Sequence, residues 1–322
     1  MKEYIAGIDI GGTTVKLALF DKNDRESGAI DKWEIVTRGR DEIELLWQDL
    51  ADSIREKMAA LGIADEELKA AGMGLPGPIR EDGFLPWCVN LGMGACYPAK
   101  ELEQCLGVPV AAGNDANVAA LGEVYYGVAK GYENAALFTL GTGLGGGIIQ
   151  NGKIIAGNRG LAGEVGHFVV NPDEQETCNC GNRGCLEQYC SATGMVRVAR
   201  RLLDKKEDPS TLRSIKGFSA KDVCDEARKG DAIASEVIDT FGKYMGLACS
   251  YIIETMDPDV FIVGGGVSRA GKLLTDAMEK WIDEYSHVAQ IKPGVLLATP
   301  ETMPAPTARQ RWLSVHYSNK RL

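Results

Sequence analysis

The sequence lacks any apolar run long enough to cross a membrane. Spanning a bilayer takes roughly 20 consecutive apolar residues, and no stretch approaches that length. Residues 1–10 also lack the basic region followed by an apolar region that marks a signal peptide. We therefore predict a cytoplasmic protein with no membrane partner.

Basic residues are scarce relative to acidic ones. Lys and Arg number 35 against 45 Asp and Glu, which gives a net charge of -10. A chain of this charge repels nucleic acid unless a local basic patch intervenes, so we expect no nucleic-acid partner. Its 322 residues, 45% of them hydrophobic, suffice for one large domain or two medium ones and exclude a disordered or fibrous class.

Histidine is rare, with three residues, and the nine cysteines are an odd number in a chain without an export signal. A disulfide framework is therefore not expected. Cys178, Cys180 and Cys185 form a C-x-C-x4-C cluster, and His167 lies eleven residues before it. Three thiolates and one imidazole are the ligand set of a closed tetrahedral zinc site, so we predict a structural Zn2+ there. Buried or redox-active thiols are the alternative.

Strand-like and helix-like segments alternate along the chain, which indicates an α/β fold. A strand, glycine turn, strand unit at residues 4–20 recurs at residues 134–150. We therefore predict an internal duplication with two lobes, a smaller N-terminal one at 1–115 and a larger C-terminal one at 116–298 that contains the zinc site. Strands are predicted at 4–10, 15–20, 69–74, 108–112, 134–140, 145–150, 260–263 and 295–298, and helices at 41–61, 116–126 and 270–285, with a further long helix across 237–252.

Three glycine-rich turns point to a nucleotide: residues 11–14, residues 141–147 and residues 264–266. Glycines let backbone amides approach phosphate oxygens. In the first turn Thr13 adds a hydroxyl and Lys16 a positive charge, and Asp9 can hold Mg2+ through water. Any one of these turns is explained as well by an ordinary hairpin. The three together favour ATP.

Asp115 follows a predicted strand and is flanked by Asn114 and Asn117. A carboxylate at that position could act as a general base that takes a proton from a hydroxyl as the oxygen attacks the γ-phosphate. The alternative is an N-cap aspartate for the helix that follows. The glycine turns favour catalysis.

Taken together, these motifs resemble the ROK family (repressors, open reading frames, kinases), and within it the bacterial glucokinases. The resemblance runs from about Tyr4 to about Ala298, and its most specific parts are residues 7–13, 113–117, 164–167 and 178–187. It implies the two-lobed ATPase fold of actin and hexokinase, a ribonuclease H-like duplication. It also implies ATP-dependent phosphorylation of the 6-hydroxyl of glucose in a homo-oligomer, for which we expect a dimer.

The family pattern also implies roles for individual residues. Asp115 becomes the catalytic base, and His167 is both a sugar contact and a zinc ligand beside the three cysteines. The implied sugar contacts are Asn90, Asn114, Asp115, Glu164, His167 and Glu187, and the implied ATP contacts are Asp9, Gly11, Gly12, Thr13, Lys16, Gly141, Thr142, Gly143, Gly265 and Gly266.

Two other functions stay open. One is a kinase for N-acetylmannosamine or another hexose, because Gly92-Met93-Gly94 stands where many glucokinases have an aromatic residue. The other is a sugar-binding regulator without catalysis. A repressor of the family needs a DNA-binding extension before the first turn, and here only six residues precede Gly7.

The tail, residues 299–322, departs from the family pattern of a Gly-Asn-Asp-Ala-Gly turn followed by an alanine-rich helix. Its three prolines between Thr299 and Gln310 oppose a helix. Back-translated and read from the third base of each codon, the segment from Pro300 permits Gly-Asn-Asp-Ala-Gly, one free position and then Tyr-Gly-Ala-Ala. We interpret the tail as the product of a frameshift near residue 299, and the alternative is an authentic divergent tail.

Overall fold

The computed structural model describes residues 2–24 and 28–298 of the chain. The tail for which the sequence suggests a frameshift lies outside the described residues. Contacts divide the described chain into two units. The first comprises the residues up to Lys130 together with Ile154–Ala162, and the second comprises Gly131–Lys153 and the residues from Gly163 onward.

The first unit is built on a five-stranded mixed sheet. The strands are β1 (Tyr4–Ile10), β2 (Thr14–Asp21), β3 (Asp31–Val36), β4 (Leu68–Leu75) and β5 (Val110–Asn114). β3, β2 and β1 form an antiparallel meander. β4 and β5 extend the sheet in parallel, which gives the order β3-β2-β1-β4-β5. The helices are α1 (Leu46–Ala60), α2 (Pro98–Leu106) and α3 (Asp115–Tyr126).

Apolar periodicity explains how α1 joins the core of this unit. Leu46, Leu50, Ile54 and Met58 recur every four residues and are fully buried. The helix predicted at 41–61 begins later than expected, because residues 40–45 form a 3-10 helix in which Glu42 leaves helical backbone geometry (φ -128°). In β1, nearly every residue is buried, as in a central strand covered on both faces.

The second unit repeats this architecture. Its sheet has the order β8-β7-β6-β9-β10, with β6 and β7 antiparallel and β9 and β10 added in parallel. The strands are β6 (Ala135–Leu140), β7 (Leu144–Gln150), β8 (Lys153–Ile154), β9 (Val260–Gly264) and β10 (Gly294–Leu297). The helices are α4 (Glu187–Cys190), α5 (Ala192–Lys205), α6 (Ala220–Arg228), α7 (Ala232–Met256) and α8 (Lys272–Tyr285).

The two sheets share one strand order, with a meander followed by two parallel strands. This confirms the predicted α/β fold with an internal duplication. The lobe limits 1–115 and 116–298 remain a prediction; the contacts instead group α3 with the first unit, because α3 packs on β4 and β5. Among the described residues, no helix combines the length and apolar character that crossing a bilayer requires.

Candidate active site

The first glycine turn, Gly11 to Thr13, joins β1 to β2 and exposes Gly12 and Thr13. The amide of Gly11 donates to the carbonyl of Thr14 (3.0 Å). Thr37 stabilises the turn with two hydrogen bonds. Its amide donates to the Thr13 carbonyl (3.0 Å) and its hydroxyl donates to the Gly11 carbonyl (2.7 Å). Within residues 2–24 and 28–298, the amides of Gly12 and Thr13 have no hydrogen-bond acceptor. Two adjacent amides of this kind suit an anion.

Strand register brings the predicted charged residues of this unit to one edge of the sheet. Asp9 on β1 pairs with Lys16 on β2 and with Gly74 on β4. Gly74 in turn pairs with Gly113 on β5. A Cβ added to Gly74 would lie 3.6 Å from the Cα of Asp115. Asp9, Lys16 and Asp115 therefore lie along the same sheet edge, beside the first turn.

Asn114 caps α3. Its Oδ1 accepts from the amides of Ala116 (3.0 Å) and Asn117 (3.1 Å), and its Nδ2 donates to the carbonyl of Gly77 (3.1 Å). The N-cap role that the sequence left open for Asp115 is thus filled by its neighbour. Asp115 is the first residue of α3 and is half-buried, with its Oδ1 accepting from the amide of Ala116 (2.7 Å).

Asn90 lies in a tight loop that closes between Cys88 and Met93. The amide of Cys88 donates to the carbonyl of Met93 (2.9 Å), and the reverse bond measures 3.1 Å. Asn90 is exposed, and its backbone carbonyl oxygen is 3.7 Å from the position of a Cβ on Gly12. This predicted sugar contact therefore lies next to the first turn.

The second glycine turn, Gly141 to Gly143, joins β6 to β7. The amide of Gly141 donates to the carbonyl of Gly143 (3.0 Å). Two bonds from the start of α5 hold the turn, from the amide of Ala192 to the Gly141 carbonyl (2.9 Å) and from the hydroxyl of Thr193 to the Thr142 carbonyl (2.8 Å). The amides of Thr142 and Gly143 have no acceptor in the described part of the chain.

The third turn packs against the second. Gly265 follows β9 with φ +89°, and a Cβ there would come within 2.7 Å of the backbone of Leu140, the residue before the second turn. Only glycine fits both the backbone conformation and the space. Gly265 and Gly266 are thus held beside Gly141 in the second unit, as an ATP site that uses both turns requires.

The predicted zinc ligands come together. The ligand atoms of His167, Cys178, Cys180 and Cys185 all lie within 4.8 Å of one another. The sulfurs of Cys180 and Cys185 are 3.6 Å apart, and the Cys178 sulfur is 4.0 Å from His167 Nδ1. In a tetrahedral site with Zn–S bonds of about 2.3 Å, sulfurs are about 3.8 Å apart. The four residues therefore fit a zinc ion.

Burial acts on the thiols of this cluster. Burial raises the pKa of the Cys178 thiol and, more strongly, the pKa of the Cys185 thiol. Thiols with a raised pKa are protonated near neutral pH and must lose their protons when a metal binds.

A short 3-10 helix, Val165–His167, packs on β7; Glu164 precedes it and His167 is its last residue. The approach is close, because a Cβ on Gly146 would lie 2.7 Å from the carbonyl oxygen of Gly163 and one on Gly166 would collide with Leu144. His167 turns its Nδ1 toward the cysteines, and its Nε2 is 4.0 Å from the Glu164 carboxylate. The Nδ1 of His167 therefore lies on the side of the cysteines, and its Nε2 on the side of Glu164.

Glu187 connects the zinc cluster to the second turn. Its Oε2 accepts from the amide of Leu144, directly after the turn (2.8 Å), and its Oε1 is 3.8 Å from the sulfur of Cys178. A side chain at Gly143 would collide with this carboxylate. The close approach explains why the turn carries glycine at that position.

Sequence reasoning missed a charge network behind the zinc loop. Glu174, 3% exposed at its side chain, accepts from Arg201 (2.7 and 2.9 Å), Arg197 (3.0 Å) and the hydroxyl of Tyr189 (2.6 Å). These partners hold the pKa of the Glu174 carboxyl far below its usual range, with Arg201 as the main cause. The network ties the loop that carries the cysteines to α4 and α5.

Thr37, Thr193 and Glu174 carried no motif by which they could have been found. Each acts on a residue distant in sequence, at separations of 26, 51 and 27 positions for the contacts with Gly11, Thr142 and Arg201. The only local signal was Ser191, a helix N-cap type that marks the start of α5.

Comparisons with known proteins agree with this geometry. The ROK family profile matches residues 5–302. A glucokinase from Halalkalibacterium halodurans is 38% identical over 88% of this chain and 86% of its own length. A glucokinase from Thermotoga maritima is 32% identical over 93% of each chain. The structure of a ROK family glucokinase from Streptomyces griseus in complex with glucose and AMPPNP is 28% identical, with a TM-score of 0.71 over 95% of this chain and 97% of that one.

Duplicated sheets, paired glycine turns and a Cys3His cluster thus occur in a chain that matches one family profile along almost its entire length. The chain belongs to the ROK family.

Proposed function

We propose that the chain transfers the γ-phosphoryl group of ATP to the 6-hydroxyl of glucose, giving glucose 6-phosphate and ADP. The observation that carries the proposal is the position of Asp115, at the sheet edge that also holds Asp9, Lys16 and the first turn. Asn114 is the N-cap of α3, and Asp115 is the first residue of the helix. Relatives named as glucokinases support glucose as the substrate.

In the proposed reaction, Asp115 takes the proton of the 6-hydroxyl as that oxygen bonds to the γ-phosphorus. The bond from this phosphorus to the oxygen bridging to the β-phosphate breaks, and ADP leaves. Lys16 and the turn amides stabilise the charge that develops on the phosphate oxygens. Asp9 would hold Mg2+, which neutralises phosphate charge when bound.

ATP contacts are assigned in each unit separately. In the first unit, the contacts are the turn residues Gly11, Gly12 and Thr13 together with Asp9 and Lys16. In the second unit, they are Gly141, Thr142, Gly143, Gly265 and Gly266. The support is that both turns offer two adjacent amides without an acceptor in the described chain.

Sugar contacts are assigned by the same rule. In the first unit these are Asn90, Asn114 and Asp115, and in the second they are Glu164, His167 and Glu187. The Nδ2 group of Asn114 keeps a second N–H beyond the one donated to Gly77, so it can both cap α3 and bind a hydroxyl. Carboxylates and amides of this kind are the usual partners of sugar hydroxyls in a polar pocket.

Zinc has a structural role in this proposal. Four protein ligands leave no open position for chemistry at the metal. A bound ion would fix His167 and, because Glu187 follows Cys185 by two residues, would also fix the backbone that carries Glu187. The spacing of the sulfurs supports zinc, and metal analysis tests it.

A kinase for N-acetylmannosamine or another hexose is the second candidate. The observation in its favour is at Gly92, where φ is +70° and a Cβ would collide with the side chain of Arg40. Gly92 therefore has no room for a larger side chain unless Arg40 moves, whereas a Cβ at Gly94 would meet nothing within 4 Å. A sugar-binding regulator without catalysis is the third.

One assay separates the three. Purified protein is supplied with ATP and Mg2+ and a panel of hexoses and N-acetylhexosamines, and ADP release is coupled to NADH oxidation. We expect glucose to give the highest kcat/KM, and the Asp115→Asn variant to be the control for contaminating kinases. Preference for another sugar would support the second candidate, and sugar binding without turnover would support the regulator.

We further propose a cytoplasmic homodimer that acts in glycolysis, in line with the family relation, and no nucleic-acid partner, in line with the net charge of -10. Light scattering coupled to gel filtration measures the assembly, and a gel-shift assay tests nucleic-acid binding. A monomer, or a specific gel shift, would contradict the respective part of this proposal.

A further inference from the structure

The first and second glycine turns share a feature besides glycine, which is a threonine hydroxyl that donates to a turn carbonyl. In the first, the hydroxyl of Thr37 donates to the carbonyl of Gly11 (2.7 Å). In the second, the hydroxyl of Thr193 donates to the carbonyl of Thr142 (2.8 Å). Each turn is thus held by one threonine hydroxyl that comes from outside its own hairpin.

A held carbonyl fixes the direction of one amide. In a trans peptide the C=O of one residue and the N–H of the next point to opposite sides of the chain. Thr37, by binding the Gly11 carbonyl, therefore aims the N–H of Gly12 away from itself. Thr193 does the same for the N–H of Gly143 through the Thr142 carbonyl. Neither N–H has an acceptor within residues 2–24 and 28–298.

Helix capping does not account for Thr193. The N-cap of α5 is Ser191, whose hydroxyl oxygen accepts from the amide of Gly194 (3.0 Å). The side chain of Thr193 is exposed and its hydroxyl bonds out of the helix, 51 positions back along the chain. Thr37 differs in being 8% exposed, but its hydroxyl likewise bonds to a turn carbonyl.

We infer that Thr37 and Thr193 are positioning residues for the nucleotide phosphates. Each fixes one peptide plane of a turn, so that the turn offers a preoriented N–H when ATP arrives. The inference rests on the proposed function, since it takes a nucleotide phosphate as the ligand of each turn. It adds two residues that act through the turns.

The test compares nucleotide binding with sugar binding. Thr193→Val and Thr37→Val keep the side-chain shape and remove the hydroxyl. Calorimetric titration with AMPPNP should give a Kd about 3- to 10-fold higher for each variant, as expected for one lost hydrogen bond. The Kd for glucose should stay within about twofold of the wild type, and the serine variants Thr193→Ser and Thr37→Ser should restore AMPPNP binding.

Thr255→Val is the matched control. Its hydroxyl also donates to a backbone carbonyl, that of Tyr251 (2.6 Å), but inside α7 and outside both turns. It should leave both dissociation constants unchanged. Thr193 is exposed, so its variant tests the inference even if the more buried Thr37→Val fails to fold.

Three results would overturn the inference. The first is a Thr193→Val variant that binds AMPPNP as tightly as the wild type. The second is an equal loss of glucose and AMPPNP affinity, which would indicate general damage. The third is a serine variant that fails to rescue. A wild-type protein that binds no AMPPNP would overturn the proposed function as well, whereas an active wild type with unaffected valine variants overturns only this inference.

Discussion

At the scale of single residues, Asn114 and Asp115 differ in what they bind, although their side chains are similar in shape. The Oδ1 of Asn114 accepts hydrogen bonds from two backbone amides at the start of α3. A carbonyl oxygen caps a helix without needing charge. The carboxylate at the next position, whose Oδ1 accepts from the amide of Ala116, is the proposed general base.

We predict that Asp115→Asn retains glucose binding and loses turnover. The amide can still hydrogen-bond the 6-hydroxyl but cannot accept its proton, and loss of a general base costs about 100- to 10,000-fold in kcat. Steady-state kinetics and a glucose titration measure both effects. Asp231→Asn, at the N-cap of α7, is the control and should keep normal turnover. A kcat within threefold of the wild type would refute the role of Asp115.

Glu174 offers a test through pH. Its folded pKa lies below the ordinary value of 4.5, so its contribution to stability is present above about pH 4.5 and is lost as the pH falls below it. Glu174→Gln should lower the free energy of unfolding by about 2–3 kcal/mol at neutral pH, and by less as the pH approaches 4. Urea denaturation at several pH values measures the difference.

The matched control is Glu176→Gln. Glu176 pairs with the same two arginines, but its side chain is 57% exposed, so its loss should cost less than about 1 kcal/mol. Equal effects of the two substitutions, or an effect of Glu174→Gln that does not change with pH, would count against the assigned role of Glu174.

At the scale of elements, the sequence predicted those helices and strands whose apolar residues follow a regular local spacing. The predicted strands at 4–10 and 260–263 and the helix at 116–126 agree with β1, β9 and α3 to within one residue. The predictions omitted β3, which has no fully buried residue and therefore a weak apolar pattern. They also omitted α5 and α6.

The candidate site divides in the same way. Gly11, Asp115 and Cys178 stand in short motifs, so they could be found from the sequence. Thr193 could not, because its partner Thr142 is distant in sequence and becomes a neighbour only after folding. Whether the motif residues have their assigned roles stays a prediction.

The cap of α3 should couple stability to activity. Asn114→Ala removes two bonds to the helix and one to Gly77, and should cost about 1 kcal/mol or slightly more of unfolding free energy together with a clear loss of turnover. Ser219→Ala removes the cap of α6 and should cost a similar free energy with normal turnover. Equal turnover in the two variants would contradict this prediction, because it would show that the cap of α3 has no effect on catalysis.

The zinc loop should depend on its metal. We expect about one zinc per purified chain, and Cys180→Ser should lose the metal and melt at a lower temperature. Cys105→Ser, a half-buried cysteine of α2, should retain both metal and melting temperature. Elemental analysis and thermal melts give the answer, and full stability of a zinc-free wild type would contradict a structural metal.

At the scale of the whole molecule, the duplication indicates what a frameshift would have removed, namely a helix after β10 that corresponds to α3 after β5. In the first unit β5 is followed by α3, which begins with a capped turn and packs on the sheet. β10 is the counterpart of β5 in the second sheet. Back-translation from Pro300 in the alternative reading frame permits a similar Gly-Asn-Asp-Ala segment after β10.

A chain rebuilt in that frame should be more stable. A helix that buries apolar surface on the second sheet should raise the melting temperature by about 5 °C or more. Calorimetry on the two chains measures the shift, and resequencing the gene settles the origin of the tail. An unambiguous gene sequence that encodes the present tail in frame, with related strains encoding the same tail, would contradict the frameshift hypothesis.

The repeated strand order also bears on how the two turns diverged. Two sheets with one topology are what fusion of two copies of a single ancestral segment would produce. After such a fusion each copy can change alone: the first hairpin pairs Asp9 with Lys16, whereas the second pairs Thr139 with Gly145 and carries no charge there. If both turns bind phosphate as proposed, only the first hairpin brings charged side chains to it, and the second offers backbone amides alone.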